Sequence, residues 1–327
     1  MADTWEQGAL ATVFGGSGFI GRHTVRAFTR EGWRVRAAVR RPDLAGHLQP
    51  MGGVGQIAAV QANVRYPESV ARAVEGAKVV VNLVGVLAPC GRQSFEAVHV
   101  EGARAIAKAA KAAGAEHLVH VSAIGADPNA PGRYGRTKAA GEAAVLAEFP
   151  RAVILRPSIV FGPEDQFFNR FAAMAKQAPF LPLIGGGRTR FQPVYVGNVA
   201  SAIVAAAGGI AKPGTIYELG GPEVQTFRRL LERTQEYAGR DRGYVSIPFW
   251  LASLMGTLTA ILPAGLRPIT ADQVNMLKRD NVVSEAAQKE GRTLAALGIV
   301  EPHAISTVVP QYLEQYLPKG QYAHYRG

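Results

Sequence analysis

Residues 11–21 read ATVFGGSGFIG: an apolar run closes on Gly15, Gly18 and Gly21 at three-residue spacing, and a helical pattern follows. No other stretch restricts the fold as strongly. The apolar run suits a buried parallel strand, and the glycines let the backbone turn sharply and approach a ligand closely. Free N–H groups at the start of the next helix favour an anion. Gly15, Ser17, Gly18, Phe19, Ile20 and Gly21 are therefore the first candidates for holding a dinucleotide pyrophosphate. The spacing is GxxGxxG, not the GxGxxG of the common dehydrogenase fingerprint.

The rest of the first half repeats the strand-then-helix rhythm. Apolar strand candidates are 9–14, 34–39, 57–61, 79–84, 117–122 and 152–155, and helical spacing fills 19–30, 67–74, 95–113 and 135–148. Such alternation predicts βαβ units and a parallel sheet with helices on both faces. The expected fold class is α/β: a doubly wound parallel Rossmann sheet with a smaller, mostly helical C-terminal domain. Residues 1–160 form the NAD(P)-binding domain, joined by a returning strand near 214–220, and 161–327 form the smaller domain.

Composition bounds the remaining possibilities. With 48% hydrophobic and 19% charged residues the chain is globular, and its single cysteine, Cys90, excludes an internal disulfide framework. The formal net charge of +11 points either to anionic partners or to the general solubility of an Arg-rich surface; the basic residues are scattered and no helix-turn-helix, zinc-finger or RNP signature accompanies them. Nucleic acid is not expected. Residues 245–266 carry no charge, but Pro248 and Pro263 bracket a core shorter than the roughly 20 residues a spanning helix needs. That segment predicts either a buried helix or an apolar patch facing a membrane or a hydrophobic partner. The N-terminal residues 1–8 are short and carry no signal-like apolar run, so a cytoplasmic location is expected.

The end of the second strand sets the cofactor. A site for NAD places a carboxylate there to grip the ribose 2′-hydroxyl, whereas this chain has Arg40-Arg41-Pro42. A guanidinium there pairs with a 2′-phosphate, which predicts NADP(H) over NAD(H). Asn63 and Val64, after the third strand, are candidates for the adenine edge and face. Leu83, Val84 and Gly85, closing the fourth, are candidates for the nicotinamide ribose. No metal site is expected.

Tyr134 and Lys138 form a YxxxK pair whose spacing puts both on one helical face. An ammonium beside a phenol stabilises the phenolate and can also hold ribose hydroxyls. Ser122, ending the fifth strand, is placed to hydrogen-bond a carbonyl. With Gly15 to Gly21, Ser122, Tyr134, Lys138 and the stretch Arg156-Pro157-Ser158-Ile159-Val160-Phe161-Gly162-Pro163, residues 9–222 resemble the short-chain dehydrogenase/reductase superfamily in its extended and atypical branches. The resemblance implies a nicotinamide cofactor, Ser122, Tyr134 and Lys138 in the catalytic positions, and Pro157, Ser158 and Ile159 beside the cofactor. One departure stands out: His99-Val100-Glu101-Gly102-Ala103 occupies the place of the usual N-V-x-G-T pattern.

A narrower resemblance covers nearly the whole chain. The segments GGSGFIGRH, VRRP, NLVGVL, HVEGAR, Gln192-Pro193-Val194-Tyr195-Val196 and 273–283 are similar to the bacterial relatives of the NADPH-binding accessory subunit of respiratory complex I. This implies a nucleotide held as a structural element and a peripheral position against complex I subunits and the cytoplasmic membrane face. The same residues leave open an active oxidoreductase or epimerase using Tyr134, Lys138 and Ser122. They also leave open a redox-sensing binding module.

Overall fold

A computed structural model describes residues 8–258, 270–318 and 320. Six strands and four helices alternate in the first half: β1 (Leu10–Phe14), α1 (Phe19–Arg30), β2 (Arg34–Val39), β3 (Ile57–Gln61), α2 (Pro67–Val74), β4 (Val79–Asn82), α3 (Gly102–Ala112), β5 (His117–Val121), α4 (Arg133–Glu148) and β6 (Val153–Pro157). With a seventh strand, Ile216–Leu219, they form one sheet in the order Ile216–Leu219, β6, β5, β4, β1, β2, β3. Every pairing in it is parallel. The order reverses between β1 and β4, which opens a crevice at their carboxyl ends, the usual ligand position in such sheets.

The strands read as near-continuous apolar runs because helices cover both faces. Ala11, Val13, Val79, Val80, Val81 and Val119 are fully buried. On one face Phe14, Val70, Ile106, Ala107, Leu118, Val145 and Ile154 pack into a single cluster. The third helical stretch differs from the single helix its spacing predicts. Glu96–Glu101 is a π-helical turn, and the α-helix proper begins at Gly102. A one-residue widening of this kind leaves no trace in the hydrophobic pattern, which stays continuous across it.

The chain forms two compact units. The first is Met1–Pro157, Val196–Leu219 and Ser284–Val300; the second is Ser158–Tyr195, Gly220–Val283 and Glu301–Gly327. The C-terminal half is thus not one continuous domain from residue 161 onward. The helix Val196–Ala207 packs against α1, and Glu218 accepts the Ser284 N–H at 2.7 Å, so both later segments belong to the sheet unit.

In the second unit the helices Phe168–Gln177, Phe227–Tyr237 and Ile305–Leu313 enclose a core around Phe161, Phe168, Phe191, Leu230 and Val309. Its apolar 245–266 segment is not one element. Gly243–Ile247 is a strand pairing in parallel with Phe180–Ile184, Pro248 follows, and Phe249–Leu258 is helical. Residues 259–266 of that segment lie outside the described residues. Trp250 is 69% exposed, and Val245 and Leu254 are also exposed. Among the described residues no helix is long and apolar enough to cross a membrane.

Candidate functional site

The turn from β1 into α1 owes its shape to two glycines. Gly15 has φ +80°, a left-handed conformation that a Cβ disfavours. At Gly21 a Cβ would sit 2.1 Å from the Gly15 carbonyl oxygen, so only glycine lets α1 start this close to the loop. Gly18 caps α1 in extended conformation with no side-chain cap hydrogen bond, which leaves the helix's first N–H groups without a local acceptor.

Beside this turn lies a groove lined by Gly15, Ser17, Gly18, Arg40, Asn63, Val64, Leu83, Val84 and Gly85, all candidates from the sequence. Phe14, Ala38, Val39, Ala62, Arg65, Val86, Gln93 and Val98 complete its wall. Every lining residue belongs to the first unit. Phe19, Ile20 and Gly21 lie in the first turn of α1 and are not part of the lining.

The two arginines after β2 separate. Arg40 lines the groove and donates from Nη1 to Gln93 Oε1 at 2.7 Å. Arg41 is exposed and pairs with Asp43 at 2.7 Å, outside the lining. The Asp43 hydrogen bond raises the Arg41 pKa, and Arg41 in turn lowers that of Asp43.

Next to Gly85 but outside the groove lining, α4, the π-turn and the end of β5 bring together a buried polar cluster that includes the candidates Ser122, Tyr134 and Lys138. Lys138, on α4, donates from Nζ to the Val121 carbonyl at 3.0 Å. Burial pushes its pKa down to about 8, with Glu142 one turn away pulling it back up. His99, on the π-turn, accepts the Val86 N–H through Nε2 at 3.1 Å, and its Nδ1 lies 3.0 Å from Thr137 Oγ1. Because Nε2 is the acceptor, the ring proton is assigned to Nδ1 and donates to Thr137, whose hydroxyl donates to the Tyr134 carbonyl at 3.1 Å. Burial, aided by the Lys138 charge, holds the His99 pKa down at about 3, so the ring is neutral.

Tyr134 is half-buried; its ring meets that of His99 edge-on with centroids 5.4 Å apart, and that of Phe95 at 6.1 Å. Ser122 follows β5, and its Oγ is buried with no hydrogen-bond partner among the described residues. Asn82, ending β4, donates from Nδ2 to His120 Nδ1 at 3.0 Å and accepts the Val84 N–H at 3.0 Å, which shapes the groove wall at Leu83 and Val84. Burial, with smaller contributions from Lys138 and His99, keeps His120 neutral as well.

Of the remaining candidates, Pro157 ends β6 in the first unit, whereas Ser158 and Ile159 belong to the second. There Asn281 Oδ1 accepts from Ser158 Oγ at 2.7 Å and from the Ile159 N–H at 3.0 Å. The 273–283 motif therefore acts locally as a clasp on this segment. Among the described residues no three His, Cys, Asp or Glu side chains group as a metal site would require.

Comparison with known proteins decides the family. The model of the NAD dependent epimerase/dehydratase family matches residues 11–220. The chain belongs to that family. Over 96% of its length, and 79% of the relative's, it is 37% identical to NADH dehydrogenase [ubiquinone] 1 alpha subcomplex subunit 9, mitochondrial, of Arabidopsis thaliana. It is 33% identical to the ceramide reductase of Caulobacter vibrioides over 60% of each chain. The fold is that of dTDP-glucose 4,6-dehydratase from Bacillus anthracis, solved in complex with NAD: TM-score 0.70 at 18% identity, covering 94% of this chain and 96% of that one.

The epimerase/dehydratase family implies a nicotinamide dinucleotide, and the site fits one. The cradle at Gly15 and Gly21 has no room for a Cβ, the start of α1 is uncapped, and Ser122 Oγ is an unsatisfied buried hydroxyl beside β5. Arg65, Val86, Gln93 and Val98 were not legible as lining residues. They lie on loops or at a helix start, where no periodicity marks a direction. Only the basic character of Arg65, directly after Asn63-Val64, was a usable signal.

Proposed function

We propose that this chain is an NADP(H)-holding accessory or assembly subunit of respiratory complex I, NADH:ubiquinone oxidoreductase, peripheral on the cytoplasmic face of the membrane. One observation carries the reading: similarity to a subunit of that enzyme extends over 96% of the chain, well beyond the 11–220 family core. The net charge of +11 and the exposed Trp250 and Leu254 suit a site against an anionic surface and an apolar neighbour.

Gly15, Ser17 and Gly18 with the start of α1 would hold the pyrophosphate, Asn63 and Val64 the adenine, Leu83 to Gly85 and Lys138 the nicotinamide ribose, and Arg40 a 2′-phosphate. Arg40 favours NADP(H) because no carboxylate lines the groove to take the ribose 2′-hydroxyl. A ligand that binds only the native state stabilises it by about 2.7 kcal/mol at one hundred times its dissociation constant. The expected result is co-purification of the tagged protein with complex I from salt-washed membranes, carrying a reduced-nicotinamide absorbance band. A protein recovered alone, empty and without thermal stabilisation by NADPH, overturns this reading.

A second reading is favoured by the polar cluster. When bound, the dinucleotide supplies a hydride donor or acceptor. Ser122 would then anchor a substrate oxygen, Tyr134 would give or take its proton, and Lys138 would stabilise the phenolate. The unsatisfied Ser122 Oγ and the buried Lys138 support this assignment. Tyr134→Phe separates the two readings: it abolishes turnover in a reductase and leaves complex I association intact in an accessory subunit.

A further inference from the structure

Arg40 and Arg65 reach the groove from different strand ends, one after β2 and the other after β3. Both are fastened to the same short hairpin. Cys90 and Gln93 close it with a reciprocal pair of backbone hydrogen bonds, 3.1 and 3.0 Å. Arg40 Nη1 donates to Gln93 Oε1 at 2.7 Å, and Arg65 Nη1 donates to the Arg92 carbonyl at 3.3 Å. Both partners are neutral acceptors. Among the described residues neither Arg40 nor Arg65 makes an ion pair, and no Asp or Glu lines the groove. Arg41, by contrast, is neutralised by Asp43.

We propose that Arg40 and Arg65 together form a seat for a phosphate monoester, with the Cys90–Gln93 hairpin as the brace that positions both guanidinium groups. This rests on the reading that the groove holds a dinucleotide, and it assigns the preference for a 2′-phosphorylated nucleotide to two cations and a brace. Each guanidinium has five donors and spends one N–H on the hairpin, so the others stay available to phosphate oxygens. Gln93 is a positioning residue: its amide oxygen orients Arg40 without cancelling its charge. Arg65 also lies over the Tyr66 ring, 5.7 Å from its centroid, a cation–π contact that helps hold the guanidinium without neutralising it.

Isothermal titration of the full chain with adenosine 2′,5′-bisphosphate, AMP, NADPH and NADH tests the seat. The bisphosphate is expected to bind about 10- to 100-fold tighter than AMP, the range set by charge-assisted hydrogen bonds. Arg65→Gln lowers that ratio about tenfold, Arg65→Lys keeps most of it, and Gln93→Glu, which sets a carboxylate against Arg40, removes it. Arg41→Gln leaves the ratio unchanged. The proposal is overturned if Arg65→Gln weakens bisphosphate and AMP in equal proportion, or if the wild-type chain binds NADPH and NADH alike. Binding of neither dinucleotide is a different failure, since it removes the nucleotide reading beneath the proposal.

Discussion

His99 accepts the Val86 N–H through Nε2 at 3.1 Å, and in doing so ties the π-turn before α3 to the groove wall. Through Nδ1–H the same ring donates a hydrogen bond to Thr137 Oγ1, one residue before Lys138. A single neutral imidazole thus sets the distance between the wall at Val86 and the helix that carries Tyr134 and Lys138. The residue that departs from the usual asparagine pattern is structurally occupied at both nitrogens. It has no free atom for proton transfer.

That occupancy makes the fold acid-sensitive in a defined window. His99 has a folded pKa near 3 against an ordinary 6.5, so below about pH 6.5 the unfolded chain takes up a proton that the native chain refuses. Stability is fully present above 6.5 and is lost as pH falls toward 3, at roughly 1.4 kcal/mol per pH unit for one such group. His120, also held well below its ordinary value, adds to the slope in the same direction. Urea midpoints between pH 4 and 7 measure the loss. His99→Gln should flatten the slope by about one proton while costing about 1–3 kcal/mol at pH 7 for the disrupted hydrogen bonds.

Gly21→Ala places a methyl group 2.1 Å from the Gly15 oxygen and 2.7 Å from the Gly16 carbonyl carbon. Backbone atoms cannot swing aside, so the β1–α1 turn must open. The expected cost is about 1–3 kcal/mol, in the range of overpacked cores, together with loss of any thermal shift from NADPH. Differential scanning calorimetry with and without nucleotide reads both effects. An alanine variant that keeps the full shift contradicts this account of the turn.

Lys138→Met should separate stability from binding. The buried ammonium has one backbone acceptor at 3.0 Å and is held down to a pKa of about 8, so an apolar replacement of similar length removes a desolvation penalty. Chemical denaturation should show stability unchanged or raised by about 1–2 kcal/mol, while nucleotide affinity falls. A destabilised variant with intact affinity would assign Lys138 to the scaffold.

Asn281→Ala removes the acceptor shared by Ser158 Oγ and the Ile159 N–H. The expected loss is about 1–3 kcal/mol, confined to the second unit. Amide hydrogen exchange should show faster exchange at Ile159 and Gln192, whose N–H also bonds to the Asn281 carbonyl, and unchanged exchange in β1 and β4.

Much of the first unit was legible because its signals are local. Apolar runs and glycines mark β1 to β6, and YxxxK marks α4 at its spacing. The sequence could not show which of Arg40 and Arg41 faces the groove, since neighbouring residues leaving a strand point in different directions. Asp43, two residues beyond Arg41, was the available hint. Gly243–Ile247 was missed as a strand because its apolar end merges with the uncharged run that follows, and its partner, Phe180–Ile184, lies far back in the chain. Asn281 lies within the 273–283 motif, which named no role for it, and its contact with Ser158 spans 123 residues, beyond the reach of any local pattern.

The clasp at Asn281 also governs when the molecule can be finished. The second unit needs Asn281 and Ile305–Leu313, and the first needs Ser284–Val300 at the edge of its sheet. Neither unit is complete until synthesis has passed residue 300. A nascent chain with its nucleotide loop already formed still carries unpaired strand edges and open apolar surface, the condition in which chains recruit chaperones or aggregate. A premature stop anywhere before residue 300 would therefore leave both halves unfinished, not merely the second.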